Sequence, residues 1–322
     1  MENRELMRLI QGTTEFKLKE KSAVAIGKFD GIHLGHQKLL KQIIEWKKEG
    51  FQAVIFTFDP PPSVFFEQTT KKELTTQEEK RKLFEDMGID VLIEFPLNRN
   101  TAATTPVHFI EQILVERINA KRIAAGTDLS FGYRGAGNCE LLIREAKHYD
   151  YQVKVIEKVC LEGKEISSTY VRQEVESGNM ELVTTLLGNP YRIQGTVKEG
   201  QQLGRTIDMP TVNLLPVSDK LLPPRGVYFS YVYYNGRKLQ GVTNIGCRPT
   251  VSSNEIISVE TYIYAFNEVI YGKHIVVELL HYRRPEMKFH GVQELKEQMQ
   301  KDKEAGEFYF TQKLQDGGFK QE

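Results

Sequence analysis

Two histidines three residues apart in a glycine-rich stretch, Ala25-Ile26-Gly27-Lys28-Phe29-Asp30-Gly31-Ile32-His33-Leu34-Gly35-His36, are the first residues of this chain whose types and spacing could do chemistry. Imidazoles at that spacing can share one pocket, and both can donate hydrogen bonds to phosphoryl oxygens. Gly27, Gly31 and Gly35 let backbone approach a bulky ligand or take positive φ. A helix that begins here adds unpaired N–H groups and a partial positive charge. Phosphoryl and nucleotidyl transfer gain mainly from such positioning and charge stabilisation. The stretch follows neither the G-x-x-x-x-G-K-[ST] nor the G-x-G-x-x-G order.

Two later segments can complete a phosphate site. Gly126-Thr127-Asp128-Leu129-Ser130-Phe131-Gly132 leaves a strand-like run, and by itself it fits any strand-exit loop. Ile166-Ser167-Ser168-Thr169-Tyr170-Val171-Arg172 offers hydroxyls and helix-start amides to phosphate, with an arginine to neutralise charge that moves to pyrophosphate. Standing alone, that segment is an N-capped helix with a surface arginine. Its place about 130 residues after the histidine pair makes joint chance improbable.

The elements that must hold these residues follow from periodicity. Ser22 to Ile26 reads as a buried strand entering the histidine turn, and Leu39, Leu40, Ile43 and Ile44 form one stripe of the helix that leaves it, with Gly50 as stop. Ala53 to Phe58 reads as the next strand, ended by Asp59-Pro60-Pro61-Pro62. Thr76 with Glu79 makes a capping box for a helix carrying Leu83, Phe84 and Met87, stopped by Gly88. Val91 to Phe95, Arg122 to Ala125 and Gln152 to Ile156 complete the strands; helices lie between, one opened by Thr105-Pro106 and one over about 138–149. This alternation implies βαβ units and a parallel sheet, with ligands at the carboxyl ends of its strands. The histidine turn, the Asp59 segment and the Asp128 loop all follow strand ends, so they can converge on one crevice.

Periodicity changes near Gly188-Asn189-Pro190. Beyond it come short runs, 191–197, 226–234, 239–245, 257–265 and 274–282, with a type I′ hairpin signal at Tyr234-Asn235-Gly236-Arg237. They predict a small antiparallel barrel, followed by a helix over 292–303 and a frayed end from Gln312. The expected domains are therefore 1–187, an α/β Rossmann-like domain with a parallel sheet, and 188–322, a small antiparallel β-barrel with a C-terminal helix.

The chain has 322 residues, about two domains on size, and Lys+Arg and Asp+Glu both number 43, so no basic field recruits nucleic acid or an anionic membrane. No apolar run approaches the roughly 20 residues of a membrane span, and the N-terminus lacks the pattern of a signal peptide. A cytoplasmic protein, monomeric or weakly self-associating, is expected. Cys139, Cys160 and Cys247 are too few and scattered for a disulfide framework or a C-x-x-C site, and the seven histidines show no metal-ligand spacing. Any metal should arrive with a nucleotide.

The stretch Gly27 to His36 resembles the phosphate-binding signature of the nucleotidyltransferase superfamily, and in this fuller form the first motif of the prokaryotic riboflavin kinase/FAD synthetase family. The loop Gly126 to Gly132 and the segment Ile166 to Arg172 resemble that family's further motifs. The resemblance implies FMN adenylyltransferase activity: ATP and FMN give FAD and pyrophosphate. It places Gly27, Phe29, Asp30, Gly35, Asp59, Asp128, Phe131, Ser167, Ser168 and Thr169 around nucleotide and flavin, and gives His33, His36 and Arg172 catalytic roles. The likeness departs at Pro61, where many relatives have histidine.

Gly204-Arg205-Thr206-Ile207-Asp208-Met209-Pro210-Thr211-Val212-Asn213 resembles the riboflavin kinase motif G-R-x-L-G-x-P-T-A-N. By that resemblance Gly204, Arg205, Pro210, Thr211 and Asn213 bind ATP. Thr211 and Asn213 hold Mg²⁺ there, as hard oxygen donors suit it. Glu260 stands at the position of the general base that deprotonates riboflavin. Further stretches, Gly226-Val227-Tyr228, Asn244 to Thr250, Tyr271-Gly272 and Arg283 to Phe289, extend the likeness over roughly residues 20–305. The rivals are an FAD synthetase with a weak or inactive kinase half, another nucleotidyltransferase or class I aminoacyl-tRNA synthetase, and a non-enzymatic flavin sensor. A synthetase would want a K-M-S-K-S-like loop, which the chain lacks.

Asp208 and Val212 stand where the motif has glycine and alanine, and the valine is expected to add bulk beside Thr211 and Asn213. A carboxylate about 5 Å from a triphosphate charge costs roughly 3 kcal/mol at an effective dielectric near 20. The kinase is therefore expected to be the weaker activity. Comparing FMN formation by wild type and Asp208→Gly checks this: a gain in the glycine variant is expected, and equal rates would show the aspartate harmless.

Overall fold

The computed structural model describes residues 6–67, 72–199, 209–248 and 256–315, which form two compact units, Met1–Tyr170 and Val171–Glu322. In the first unit the chain order is β1 (Arg8–Gln11), β2 (Ser22–Ile26), α1 (Leu34–Lys47), β3 (Gln52–Asp59), α2 (Pro62–Glu67), α3 (Gln77–Asp86), β4 (Val91–Pro96) and α4 (Arg99–Ala102). Then follow α5 (Pro106–His108), which continues as a π-helix (Phe109–Arg117), β5 (Ala120–Gly126), α6 (Cys139–Glu145), β6 (Gln152–Ile156) and the hairpin β7 (Cys160–Leu161) and β8 (Lys164–Glu165). The sheet order is β1-β4-β3-β2-β5-β6, and every pairing is parallel.

Strand β2 shows why this sheet needs cover on both faces, since all five of its residues are buried. Val24 and Ile26 pack with Ile110, Ile113 and Leu114 of the π-helix and Leu142 of α6 on one face. Ala23 and Ala25 lie under Leu40, Ile43 and Trp46 of α1 on the other. The chain leaves β2 toward β3 on one side and returns to β5 on the other, so the strand order reverses between β2 and β5. Ligands of open α/β sheets bind at such a point, outside the carboxyl ends.

The predicted capping box is present: Thr76 Oγ1 accepts from the Glu79 amide at 3.3 Å, and Glu79 Oε2 accepts from the Thr76 amide at 2.9 Å. Four details differ from the sequence reading. An edge strand, β1, precedes the first expected one, and α2 begins at Pro62, the last of the prolines that end β3. The helix after Thr105 widens to π geometry, with the Ile118 amide donating to Ile113 O, while its apolar residues stay buried as expected. Helix α6 is shorter than 138–149: it ends at Glu145, and a run of turns follows to Asp150, which takes positive φ, with the Tyr151 amide donating to Ala146 O.

The second unit begins within α7 (Ser168–Ser177) and continues through α8 (Met180–Leu187) to β9 (Tyr191–Lys198), β10 (Thr211–Leu214), β11 (Gly226–Tyr234), β12 (Arg237–Arg248), β13 (Ile256–Ile263), β14 (His274–Pro285) and α9 (Val292–Gln315). Its six strands close an antiparallel barrel in the order β10-β13-β12-β11-β14-β9. The expected hairpin has positive φ at Asn235 (48°) and Gly236 (73°), as a type I′ turn requires. Strand β10 was not expected as a strand. Helix α9 outlasts its expected end and runs to Gln315, because Phe310 is 2% exposed and packs on Phe229 and Leu280; the rest of the segment expected to fray, 316–322, lies outside the described residues.

Helix α8 packs on β9 and β14 through Met180, Val183, Leu186 and Leu187, all buried, and Gly188 closes it in the left-handed region. Burying one such side chain stabilises by about 1.5–3 kcal/mol. A fragment starting at Val171 is therefore expected to unfold cooperatively, and one starting at Gly188 to melt roughly 10 °C lower or more. Thermal melts of the two fragments check this; equal midpoints would show α8 dispensable to the barrel.

Candidate active site

A cavity of about 550 Å³ opens at the carboxyl ends of β2, β3, β5 and β6, within the range of small-molecule sites. The histidine turn supplies Gly27, Phe29, His33, Gly35 and His36 to its wall; the loop after β5 supplies Gly126, Asp128 and Phe131; the start of α7 supplies Ser167 and Ser168.

His33 is the N-cap of α1 and makes no side-chain cap bond. Its ring stacks on His36 with centroids 3.8 Å apart and 26° between planes. Both Nδ1 atoms are buried without a hydrogen-bond partner among the described residues. Burial lowers the His33 pKa to about 4, against a smaller opposing pull from Asp30, Asp128 and Glu165. Burial, and then the neighbouring His33, lower that of His36 to about 3. At neutral pH the pair is uncharged, and each ring keeps one N–H to donate.

The turn that places them is over-determined. Phe29 and Ile32 hold positive φ, 52° and 43°, which non-glycine residues rarely adopt. Phe29 is 1% exposed, edge-on to Phe84 with centroids 5.7 Å apart and against His36 at 5.3 Å. A Cβ on Gly35 would lie 3.1 Å from the His33 ring, so glycine leaves that ring its place. Asp30, outside the cavity lining, braces the turn: its carboxylate accepts from the amides of Leu74 (2.8 Å) and Thr75 (3.3 Å), and its carbonyl from Ser168 Oγ (2.8 Å).

Asp59 does not line the cavity; it accepts a hydrogen bond from Gln77 Nε2 at 2.8 Å, turned aside by α3. Pro61 O accepts the amides of Val64 and Phe65, starting α2, and α2 brings the exposed Phe66 to the cavity wall. Thr169 is exposed. Arg172 lies one turn beyond Ser168 on α7, in the second compact unit. Phe131 is buried against Phe109, and the thiol of Cys139 fixes the loop by donating to Gly126 O. The sequence reading missed Phe58, Phe66, Lys158 and Glu165 as lining residues. For Phe58, Lys158 and Glu165 the available signal was position at or near the end of a strand; Phe66 lies in α2 and had no such signal.

In the second unit, register builds a second site. Asn213 of β10 pairs with Glu260 of β13, which pairs with Asn244 of β12, and Thr211 pairs with Tyr262. Alternation places all five side chains on one face of the barrel wall. Val212 pairs with Thr261 and so faces the other way, with the hydroxyl chain Ser230, Thr243 and Thr261. The expectation that Val212 crowds Thr211 and Asn213 is therefore corrected. Thr211, Asn244 and Glu260 line a cavity of about 220 Å³ with Arg284, Glu286, Met287 and Phe289, and Leu295 and Met299 of α9. Asn244 was quoted in the sequence but not recognised as a site residue. Asp302 of α9, 3% exposed, receives Arg284 through Nε at 3.1 Å and Nη2 at 2.6 Å, which fixes the helical wall to β14. Pro210 adjoins Met209, which lines the cavity. Gly204, Arg205 and Asp208 lie outside the described residues.

The family model of FAD synthetase matches residues 15–170, and that of riboflavin kinase matches residues 187–310. A bifunctional riboflavin kinase/FMN adenylyltransferase of Bacillus subtilis is 37% identical over 298 residues, 90% of this chain and 93% of that one. The chain belongs to the bifunctional riboflavin kinase/FMN adenylyltransferase family. The family's Escherichia coli K12 protein is 34% identical, with 94% of this chain and 98% of that one covered. A solved Streptococcus pneumoniae structure, described as a macrolide-efflux protein, has the same fold: TM-score 0.83, 29% identity, 94% of this chain and 99% of that one. Membership sets aside the aminoacyl-tRNA synthetase and the unrelated nucleotidyltransferase. No helix of the described residues is long and apolar enough to cross a membrane.

The depressed histidines set a pH dependence for this family member. Unfolded imidazoles titrate near 6.5, whereas the folded pair takes up protons only near 4 and 3. Between those values the unfolded state binds more protons, so stability is full above about pH 6.5 and falls as pH drops, by about 1.4 kcal/mol per pH unit for each histidine. Denaturation of wild type and a His33→Gln/His36→Gln variant between pH 4 and 7 checks this; the variant is expected to lose most of the slope.

Proposed function

We propose that this chain makes FMN from riboflavin in its second unit and FAD from FMN in its first, with ATP as donor in both. The observation that carries the reading is the stacked pair of buried, uncharged imidazoles at the start of α1, each with an unpaired nitrogen, in the wall of a cavity that also receives Ser167 and Ser168.

For adenylyl transfer, an oxygen of the FMN phosphate attacks the α-phosphorus of ATP, and the bond to the β-phosphate oxygen breaks to release pyrophosphate. A phosphate is already a nucleophile, so the step needs alignment and charge stabilisation in place of a base. His33 and His36 donate to oxygens that gain charge, Ser167 and Ser168 and the amides of α7 hold phosphate, and Arg172 meets the leaving pyrophosphate. The aromatic wall of Phe58, Phe66 and Phe131 suits a planar ring.

In the second unit Glu260 takes the proton from the terminal hydroxyl of riboflavin as that oxygen attacks the γ-phosphorus of ATP, and the bond from that phosphorus to the β-phosphate oxygen breaks to release ADP. Thr211 and Asn213 present neutral oxygens beside Glu260, and among the described residues no group of three or more His, Cys, Asp or Glu forms a metal site. That donor set fits Mg²⁺ carried in with ATP, where the ion would shield the phosphate charge. Met287, Phe289, Leu295 and Met299 give the flavin ring apolar cover. Both family models match, which favours the two-activity reading over an FAD synthetase with an inactive second half or a flavin sensor.

Chromatography of products from riboflavin plus ATP-Mg, and separately from FMN plus ATP-Mg, tests the proposal. FMN is expected from the first mixture and FAD with pyrophosphate from the second. His36→Ala is expected to lower FAD formation about 10²-fold or more, with FMN formation retained; no FAD from the wild type would overturn the assignment.

A further inference from the structure

Lys158 stands just past the carboxyl end of β6 and lines the cavity of the first unit. Its Nζ lies 2.7 Å from Glu165 Oε1, at the end of β8, and 3.5 Å from Asp128 Oδ2, in the loop after β5. Both carboxylates act electrostatically on His33, so the three charges cluster at the polar end of the cavity. The Lys158, Asp128 and Glu165 side chains are 38%, 71% and 41% exposed.

The charge inventory of the wall is unexpected for a site that takes polyanions. Its ionised lining residues are Lys28 and Lys158 against Asp128, Glu157 and Glu165, and both histidines are neutral. The protein thus offers a phosphoryl group two lysines, one of which is occupied by carboxylates. Solvent-exposed ion pairs of this kind are weak, whereas a phosphoryl dianion accepts stronger charge-assisted hydrogen bonds. A lysine has three donors on a flexible stem, so it can turn from one acceptor to another without backbone movement.

We propose that Lys158 binds a phosphoryl group of the substrates, leaving the Glu165 and Asp128 carboxylates on which it rests in the ligand-free protein. The inference rests on the adenylyltransferase reading of this cavity and adds a binding residue to it. The phosphoryl group belongs to FMN or to ATP, and varying each substrate separately distinguishes the two.

The test is steady-state FAD formation by the full chain. Lys158→Met is expected to raise KM about tenfold or more for one of the two substrates, the usual effect of losing a charged hydrogen bond to an anion, with kcat within about threefold. Lys158→Arg is expected to stay near wild type. Lys158→Met/Glu165→Gln separates contact from screening: KM remains raised if Lys158 touches the phosphoryl group. A return to the wild-type value in that double variant, unchanged KM for both substrates in Lys158→Met, or a loss confined to kcat overturns the inference. Wild-type protein that forms no FAD would instead overturn the reading on which it rests.

Discussion

Two uncharged imidazoles, stacked face to face at the first turn of a helix with both Nδ1 atoms shielded from water, are the constraint on which the first unit depends. Desolvation keeps them neutral, and a charged pair 3.8 Å apart would repel. The surroundings must therefore hold the turn against both its strained backbone and the unpaired nitrogens. Phe29 does so from below through Phe84, and Asp30 does so from the side by tying the turn to the Leu74 backbone and to Ser168. The same contacts bring the serine segment to the histidines. The strain and the site share one set of supports.

The second unit reaches a comparable arrangement by register. Thr211, Asn213, Asn244 and Glu260 come from three strands, yet they meet because β10, β13 and β12 pair with these residues opposite one another. A slip of one residue in β10 would turn Thr211 and Asn213 away and present Val212. The interior hydroxyl chain of Ser230, Thr243 and Thr261 sits one residue off the site positions on β12 and β13 and links three strands in the described register. Barrel closure, with the Arg284 and Asp302 pair holding α9, sets the depth of the cavity.

Much of this was legible in the chain. The strand-to-helix turn, the capping box at Thr76, the change of period near Gly188 and the type I′ hairpin depend on residues close in sequence, where backbone preference and burial act locally. His33, His36, Ser167 and Ser168 were found by residue type and spacing, and they do share one cavity. Elements without a local signature were missed: β1 and β10 are each four residues long and owe their strand state to partners distant in sequence. Helix α9 keeps its last turns because Phe310 is buried against the barrel, which no local propensity records.

The sequence by itself determined the chemistry on offer: neutral hydroxyls and imidazoles near helix starts, hard oxygen donors beside a carboxylate, and two periodicities that call for a parallel sheet and an antiparallel barrel. Only the tertiary structure decided which side chains line a cavity and which brace its walls. Asp30 and Asp59 are outside the cavity lining, held by hydrogen bonds with Leu74 and Gln77, which are distant in sequence. Val212 looked like a bulky neighbour, and strand pairing sent it to the opposite face. The imidazoles became neutral because burial, a property of the assembled fold, removed the water that would have stabilised their charge.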